Sequence, residues 1–466
     1  MQLKIETGAL VSLSPADAKI IRPAIAYKEE IAVQVRKGKG GRKVREQREI
    51  TKYAWAHKSK DMYLFYRGNL PRVLAYLKKK NIPYNITGKF TPLPYTDLPL
   101  AGITLRDYQN KLKLSALSSN RGVIHAATGI GKSAVLSGII AACPDARCLI
   151  IAHMTDLVSQ LTENITAHLQ EPVTKLTTAA PTSSTRINIV TIQSLNRFEP
   201  ADYATQYDII LVDECHMVSK YDGSYAKVLT NITTPHRFGT TATLPTKPSA
   251  KLALESLIGP VVSTYGINTA AKEQVLSKPK IVLLKVEKNI AHSNIKIYKE
   301  ALRKNLVENQ IKNDFFLDCA QRLNNKGMSV LLLVNMIEHG QNLQARASHT
   351  NLGNIPFVYQ GVPQEERTRI KKALIDKKIM TVIGSNVWKI GIDIPSLGAV
   401  IIAGGGKSQI QTIQSIGRGW RRTQTKDTIT IVDVFDPSCK WMTEHFAERL
   451  TIYFEQGWMG NSIDDL

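Results

Sequence analysis

The chain has 466 residues, more than one compact core usually contains, so two or three domains are expected. Hydrophobic residues make up 43% and charged residues 21%, the balance of a soluble globular protein rather than a disordered one. With 61 Lys and Arg against 39 Asp and Glu, the formal net charge is +22. This charge predicts a polyanionic partner, either nucleic acid or an anionic membrane surface.

Three further features of the composition favour nucleic acid. No apolar run approaches the roughly 18 residues that a bilayer span needs. The first residues, MQLKIETGAL, lack the apolar core of a signal peptide. The five cysteines are scattered, which argues against a disulfide framework or a zinc site. We therefore expect a cytoplasmic protein that does not contact a membrane and binds nucleic acid.

Over half of the excess positive charge lies in residues 1–100, which hold twenty Lys and Arg against eight Asp and Glu. The densest stretch is RKGKGGRKVREQR, residues 36–48. Alternating Ile31, Val33 and Val35 predict a strand before it, and its glycines predict a hairpin turn or loop. A net charge of +6 in thirteen residues favours phosphate contact over a merely solvated loop. The candidate contacts are Arg36, Lys37, Lys39, Arg42, Lys43 and Arg45.

The rest of this region predicts a small α+β domain. Aromatic residues between 53 and 66 alternate as in a strand, which favours a small core over base stacking. Residues 70–80 (LPRVLAYLKKK) predict a helix with Pro71 in its first turn. Prolines at 92, 94 and 99 predict a linker, so we assign residues 1–98 to a basic N-terminal DNA-binding domain.

From about residue 101, short β-branched strands alternate with helical stretches, which is typical of parallel α/β sheets. The strand VIHAAT (123–128) runs into GIGKS (129–133) and a helical stretch, the pattern of a phosphate-binding loop, although Ala126 replaces its first glycine. Gly129 and Gly131 would let backbone N–H groups surround the β-phosphate. Lys132 would neutralise the β- and γ-phosphates, and Ser133 would hold Mg²⁺. The pattern predicts binding of ATP or GTP.

A second chemical motif is DIILVDECH, residues 208–216. Its apolar strand brings Asp213 and Glu214 to the carboxyl end, where ligands bind in open α/β sheets. Asp213 fits a partner of Mg²⁺, and Glu214 fits the residue that deprotonates the attacking water. An exposed acidic loop is the plainer interpretation, but two carboxylates ending a buried strand beside a phosphate loop favour hydrolysis.

Five segments together resemble, in order, the motifs of superfamily 2 DExH-type helicases: LRDYQ (105–109), AATGIGKS (126–133), DECH (213–216), TAT (241–243) and QSIGRGWRR (414–422). The resemblance covers nearly all of residues 104–435. It implies an α/β fold with two tandem RecA-like parallel-sheet motor domains after the small basic α+β N-terminal domain. ATP would bind between the motor domains and nucleic acid across both. We assign residues 99–275 to the first motor domain, and 276–466, with a C-terminal helix, to the second.

The resemblance also implies roles for individual residues. Arg418 and Arg421 would be arginine fingers that act on the γ-phosphate together with Lys132, Asp213 and Glu214. The implied nucleotide contacts are Arg106, Gln109, Thr128, Gly129, Gly131, Lys132, Ser133, Gly391, Asp393 and Gln414. The residues implied to couple ATP to movement are His216, Thr241 and Thr243, and the implied nucleic-acid contacts are Thr191, Gln193, Ser194, Asn335 and Ser385.

The compact C-terminus and residues 64–84 resemble phage UvsW-like DNA branch-migration helicases, which are related to RecG and XPB. This resemblance implies a monomeric, ATP- and Mg²⁺-dependent helicase that unwinds or branch-migrates forked and junction DNA in replication, recombination or repair. It also implies the cytoplasm of a bacterial or phage-infected cell, with replication and recombination proteins as candidate partners. Two alternatives stay open at this point: an RNA helicase, and a structure-specific binding protein with a residual ATPase.

Overall fold

The computed structural model describes residues 1–36, 43–88, 92–286, 295, 297–385, 394, 396–404, 428–437, 439–455 and 458, with backbone only at 31–36, 43–47, 278 and 452. The chain divides into two compact units. The first contains residues 1–126 and 131–265, and the second contains residues 266–466 and the tetrapeptide 127–130. The N-terminal region and the first parallel sheet therefore belong to one unit.

The N-terminal region is a small α+β arrangement built on a mixed sheet. Its elements are β1 (Gln2–Ile5), β2 (Leu10–Leu13), α1 (Pro15–Ile21), β3 (Ala26–Arg36), β4 (Lys43–Tyr53), β5 (Trp55–Lys58), β6 (Tyr63–Tyr66), α2 (Leu70–Lys79) and β7 (Asn85–Thr87). The sheet has the strand order β5-β6-β2-β1-β7, and a core that includes Phe65, Val73 and Leu77 lies beneath it. Helix α2 begins with Pro71 in its first turn, as predicted.

Strands β3 and β4 form a separate two-stranded antiparallel ribbon. Eleven residue pairs join them, from Ala26 with Tyr53 to Arg36 with Lys43. At about 3.4 Å per residue, the paired strands are about 35 Å long. We call the end of the ribbon at Ala26 and Tyr53 its base. Near the base, Lys28 forms an ion pair with Glu49 at 2.8 Å, and Lys52 forms one with Glu29 at 2.6 Å. The predicted strand through Ile31, Val33 and Val35 thus belongs to a long ribbon, and Arg36, Lys43 and Arg45 stand in its last three paired positions. The predicted turn lies outside the described residues.

The first motor domain follows. Its elements are α3 (Asp107–Ser119), β8 (Arg121–Ala126), α4 (Lys132–Ala141), β9 (Cys148–Ala152), α5 (Thr155–Leu169), β10 (Val173–Lys175), β11 (Ile187–Thr191), α6 (Ile192–Leu195), β12 (Ile209–Asp213), α7 (Ser224–Asn231), β13 (His236–Thr241), α8 (Pro248–Leu257) and β14 (Val261–Tyr265). The parallel sheet has the order β10-β11-β9-β12-β13-β8-β14. Strands β9 and β12 are buried along their whole length, as their apolar sequences predict for a sheet covered on both faces.

The second unit contains another parallel sheet. Its elements are α9 (Ile267–Lys272), β15 (Lys278–Lys285), α10 (Tyr298–Leu302), α11 (Gln310–Asn325), β16 (Ser329–Leu333), α12 (Ile337–Ala347), β17 (Phe357–Val358), α13 (Gln364–Ile375), β18 (Thr381–Gly384), β19 (Leu397–Ile402), β20 (Thr428–Phe435) and α14 (Lys440–Glu455). The six strands have the order β15-β20-β19-β16-β18-β17. The predicted fold class is therefore confirmed: two RecA-like parallel-sheet domains follow a small α+β region.

A buried histidine in the second unit predicts acid sensitivity. His339 of α12 is 1% exposed, and its Nε2 donates to Oδ1 of Asn313 at 2.9 Å. Burial lowers the pKa of His339 from 6.5 to about 4. The unfolded chain therefore binds more protons between these values, so folding stability falls as the pH falls from about 6.5 toward 4.

We expect this single group to cost about 3 kcal/mol of unfolding free energy between pH 7 and pH 4. Urea unfolding at both pH values would measure the loss. In His339→Gln the loss should be smaller than in the wild type by about that amount. The variant His349→Gln, which changes an exposed histidine of the same unit, should behave like the wild type. Equal losses in all three proteins would contradict the prediction.

All five cysteines lie within the described residues, and each is a buried free thiol. Among the described residues, no helix is long and apolar enough to cross a membrane.

Candidate active site

The predicted phosphate loop lies between β8 and α4, at the carboxyl end of its strand. Gly129 and Gly131 both have positive φ, +88° and +83°, a backbone conformation that glycine adopts without steric cost. Gly131 is the N-cap of α4, and Lys132 is its first residue. The amino end of α4, where backbone N–H groups and the helix dipole favour an anion, therefore opens at this loop. Thr128 is buried, whereas Ser133 is half-buried.

Gln109 lies directly against this loop. A Cβ atom on Gly131 would come within 2.5 Å of Nε2 of Gln109, so a larger residue at 131 would displace the glutamine. Oε1 of Gln109 accepts a hydrogen bond from the backbone N–H of Arg106 at 2.9 Å, so the side chain of Gln109 caps the backbone at the start of α3. The neighbouring Tyr108 stacks on Tyr265 with a centroid distance of 4.4 Å. The two predicted adenine-side residues thus form the start of one helix, with Gln109 buried and Arg106 exposed.

Asp213 ends strand β12 and is 2% exposed. Strand β13 runs parallel beside it and pairs Thr240 with Asp213. The hydroxyl of Thr240 donates to Oδ1 of Asp213 at 2.8 Å, which orients the carboxylate. Ser133 and Asp213 offer the hard oxygen ligands that Mg²⁺ prefers, and such ions are usually bound through one or two carboxylates together with substrate phosphates. The described residues contain no group of three or more His, Cys, Asp or Glu that could hold a metal alone.

Glu214 contacts two cationic or potentially cationic side chains. Its Oε1 lies 3.1 Å from Nζ of Lys132, and its Oε2 lies 3.3 Å from Nδ1 of His216. Burial opposes the charge of Glu214, but Lys132 and His216 outweigh it and lower its pKa well below the usual range. The carboxylate is therefore ionised at neutral pH, the form that can accept a proton from water. The backbone of Glu214 is left-handed, with φ of +48°, which is uncommon for a residue other than glycine.

His216 joins this carboxylate to the TAT segment. Thr241 donates its hydroxyl proton to the carbonyl oxygen of Thr243 at 2.9 Å. The hydroxyl oxygen of Thr241 accepts a hydrogen bond from the backbone N–H of Thr243 at 3.2 Å and lies 3.0 Å from Nδ1 of His216. Because the single proton of Thr241 is already donated, Nδ1 of His216 must be the donor in that contact. The three predicted coupling residues therefore form one hydrogen-bonded chain beside Glu214.

Two further histidines near this chain were missed by sequence reasoning. His125 of β8 pairs with Thr241 across the sheet, and its Nε2 donates to the carbonyl oxygen of Ala242 at 3.2 Å. Burial lowers the pKa of His125, and nearby Lys132 adds to that effect, so the ring is neutral at pH 7. Burial also lowers the pKa of His153, which follows β9 directly, and nearby His216 adds to that effect. No signal in the sequence pointed to His125, because its position beside the motif residues depends on strand order in the sheet.

The predicted nucleic-acid contacts of the first motor domain lie at the end of β11. Thr191 is the N-cap of α6 and accepts from the backbone N–H of Ser194 at 3.1 Å. The two hydroxyls also hydrogen-bond to each other at 3.0 Å. Gln193 is exposed on the same short helix. The three residues therefore form one polar helix start.

In the second unit, Asn335 and Ser385 follow the neighbouring parallel strands β16 and β18. Nδ2 of Asn335 donates to the carbonyl oxygen of Gly404 at 3.0 Å. Ser385 is buried, and its backbone N–H donates to the carbonyl oxygen of Val358 at 2.9 Å. Both predicted contacts thus lie at one edge of the second sheet.

The remaining predicted contacts divide between the ribbon and the part of the chain that is not described. Arg36, Lys43 and Arg45 lie on the paired part of the ribbon. The predicted residues Lys37, Lys39, Arg42, Gly391, Asp393, Gln414, Arg418 and Arg421 lie outside the described residues.

A cavity of about 920 Å³ lies at the other edge of the first sheet. Its lining includes Asp208 and His236, which stand at the amino ends of β12 and β13, together with Arg67 of the N-terminal region. The ATPase motifs occupy the carboxyl ends of these strands. We therefore place the candidate nucleotide site at the carboxyl edge, where the motif residues converge, and not in this larger space.

Comparison with known proteins gives matches over both parallel-sheet regions. Residues 102–246 match the model of the type III restriction enzyme res subunit, and residues 311–423 match that of the helicase conserved C-terminal domain. The DNA 3'-5' translocase XPB2 of Sulfurisphaera tokodaii is 25% identical over 357 residues, which cover 69% of this chain and 79% of the relative. The ATP-dependent DNA helicase uvsW of Enterobacteria phage T4 is 22% identical over 346 residues, which cover 71% and 68%.

The chain is a superfamily 2 helicase. It is related to the phage helicase uvsW, and it is an ATP-dependent nucleic-acid helicase. Among solved structures, the type ISP restriction-modification enzyme LlaBIII bound to DNA aligns with a TM-score of 0.56 and 17% identity. That alignment covers 75% of this helicase and 29% of the enzyme, and at this identity it shows the shared fold alone.

Proposed function

We propose that this helicase acts on branched DNA, unwinding or branch-migrating forks and junctions during replication, recombination or repair. The observation that carries the proposal is the β3–β4 ribbon, about 35 Å long, in which Arg36, Lys43 and Arg45 occupy the last three paired positions. One turn of B-DNA has a similar length, and a two-stranded ribbon fits the major groove. A basic ribbon outside the motor sheets gives the protein a second DNA contact, which a translocase needs to hold a duplex or branch point.

In the proposed hydrolysis site, Lys132 binds the β- and γ-phosphates and Glu214 deprotonates the attacking water. The 3.1 Å contact between their side chains supports this pairing, because it brings the cation that would hold the phosphate next to the base. Incoming phosphates would compete with Glu214 for Lys132 and leave the carboxylate available to water. Gln109 and Arg106 would contact the adenine side, and Thr128, Gly129 and Gly131 would surround the phosphates.

We propose that Ser133 and Asp213 hold Mg²⁺, which would supply positive charge at the phosphate oxygens when bound. The hydrogen bond from Thr240 orients the Asp213 carboxylate. Gly391, Asp393 and Gln414 would contact the nucleotide from the second motor domain, and Arg418 and Arg421 would act as arginine fingers. This division of roles makes hydrolysis depend on closure of the two motor domains.

We further propose that the protein has three parts, with boundaries at 98/99 and 275/276, and that it works as a monomer in the cytoplasm of a bacterial or phage-infected cell. Nucleic acid would cross Thr191, Gln193 and Ser194 in the first motor domain. In the second it would cross Asn335 and Ser385. Replication and recombination proteins are the candidate partners at the branch.

The rate of ATP hydrolysis, compared across nucleic acids, tests the proposal. We expect forked and junction DNA to stimulate the rate most, by at least about tenfold over linear duplex, because only they engage the ribbon and the motor together. RNA of matched length is the critical comparison, since an RNA helicase would use the same ATP residues. Stronger stimulation by RNA than by any DNA would assign the protein to RNA instead, and equal rates on forks and linear duplex would reject the role at branches.

A further inference from the structure

Two segments that follow ATPase motifs meet the N-terminal region at one place. Tyr221 lies five residues after His216 of the DECH segment, and α8 begins five residues after Thr243 of the TAT segment. Ser256 near the end of α8 is 1% exposed and donates its hydroxyl proton to the carbonyl oxygen of Leu252 at 2.6 Å. Its oxygen therefore accepts from both other partners: Tyr221 at 2.9 Å and Nδ2 of Asn69 at 2.8 Å.

The ring of Tyr221 links the same place to the base of the ribbon. It stacks on Tyr27 of β3 with a centroid distance of 5.9 Å and on Tyr66 of β6 with a distance of 5.5 Å. Leu252 of α8 is buried within the hydrophobic core of the N-terminal region. One face of α8 is therefore part of that core. Tyr221 contacts the ribbon, the small N-terminal sheet and α8 at the same time.

Backbone fit holds α8 against the N-terminal region. A Cβ atom on Gly68 would overlap the carbonyl oxygens of Glu255 and Ser256, so only glycine permits this approach. The guanidinium of Arg72 donates two hydrogen bonds to the carboxylate of Glu255, at 3.0 and 2.7 Å. A similar overlap occurs between a Cβ on Gly8 and the carbonyl oxygen of Thr233, to which the Gly8 N–H donates at 2.8 Å. Packing this close transmits displacement, because neither side can shift without the other.

We propose that Tyr221, Ser256 and Asn69 form a coupling contact that transmits ATP-dependent movement of the DECH and TAT segments to the β3–β4 ribbon. These three are positioning residues, since none of them is among the predicted nucleotide or nucleic-acid contacts. The inference rests on the proposed function in one respect, that the ribbon holds DNA. When the hydrogen-bonded chain of His216, Thr241 and Thr243 rearranges beside Glu214, the segment that leads to Tyr221 and the segment that leads into α8 move with it. The base of the ribbon then follows.

The test is Tyr221→Phe in the full-length protein, which removes the hydroxyl and keeps the stacked ring. Three quantities are measured: ATP hydrolysis stimulated by single-stranded DNA, affinity for a fork, and base pairs unwound per ATP hydrolysed. We expect hydrolysis and affinity to stay within about twofold of the wild type and unwinding per ATP to fall by about threefold or more, the size of typical coupling effects. Tyr203→Phe, at another buried tyrosine of the first motor domain, is the matched control and should change none of them.

An unchanged ratio of base pairs to ATP in Tyr221→Phe would overturn the coupling contact. So would a parallel fall of hydrolysis and unwinding, which is what a merely structural tyrosine produces. Asn69→Ala, which removes the second donor to Ser256, should lower the same ratio and provides an independent variant. Lys43→Ala with Arg45→Ala is measured beside them. If that pair leaves fork affinity unchanged while Tyr221→Phe still lowers the ratio, the ribbon does not hold the fork. Tyr221 then couples hydrolysis to unwinding, but not through DNA held on the ribbon.

Discussion

Replacing Glu214 with Gln should lower ATP hydrolysis by at least about 100-fold, the contribution of a general base. The amide keeps the shape of the side chain but cannot take a proton from water. It also removes the negative charge beside Lys132, so ATP affinity should be equal to or higher than in the wild type. Steady-state hydrolysis with saturating DNA measures the first effect, and equilibrium binding of a labelled nucleotide measures the second.

The matched control for Glu214 is Glu199→Gln, which makes the same change at an exposed site of the first motor domain. It should hydrolyse ATP at the wild-type rate. DNA affinity should be unchanged in both variants, because neither side chain is among the predicted nucleic-acid contacts. Wild-type turnover in Glu214→Gln would reject the assignment of the base and, with it, the proposed hydrolysis site.

Changing Arg42, Lys43 and Arg45 together to Ala should weaken fork binding by at least about tenfold at moderate salt. Each phosphate contact releases condensed counterions, so losing three should reduce the slope of log affinity against log salt by about 3. Fork affinity measured over a range of salt concentrations gives both numbers.

The control for the ribbon removes three positive charges elsewhere in the N-terminal region. Lys78, Lys79 and Lys80 are exposed at the end of α2, and their replacement by Ala changes the net charge by the same amount. If the ribbon holds phosphates, this second triple variant should keep most of the affinity and of the salt slope. Equal losses in the two triple variants would indicate attraction by overall charge, and an unchanged slope in the ribbon variant would refute phosphate contact.

The chemistry of the candidate site was predictable because it is carried by short contiguous segments. A glycine turn before Lys132 and two carboxylates after a buried strand are recognisable alone, since each needs only its own strand and turn. Parallel strand order then brings the segments together, and the structure pairs Lys132 with Glu214. The contact between His125 and Ala242 was not predictable in the same way. It depends on which strands are neighbours in the sheet, and the sequence of a single strand does not identify its neighbours.

The docking of the N-terminal region was also beyond sequence reasoning. Asn69 and Ser256 are 187 positions apart, and neither stands in a pattern that points to the other. The prolines at 92, 94 and 99 predicted a domain boundary after residue 98. In the structure, buried packing at Gly68 and Tyr221 joins the N-terminal region and the first parallel sheet into one unit. In the ribbon, alternation at Ile31, Val33 and Val35 predicted a strand. Its full length depends on β4, whose mixed polar sequence carries little strand signal.

The buried cysteines make this protein convenient for spectroscopic labelling. Burial raises the pKa of Cys143 to about 11 and those of Cys148 and Cys319 to about 12, and it raises that of Cys215 as well. Thiol-reactive dyes attack the thiolate, so these native sulfurs should react slowly at neutral pH. A single cysteine introduced at an exposed position could then carry a fluorophore without removal of the native ones, and energy transfer could follow the ribbon during turnover.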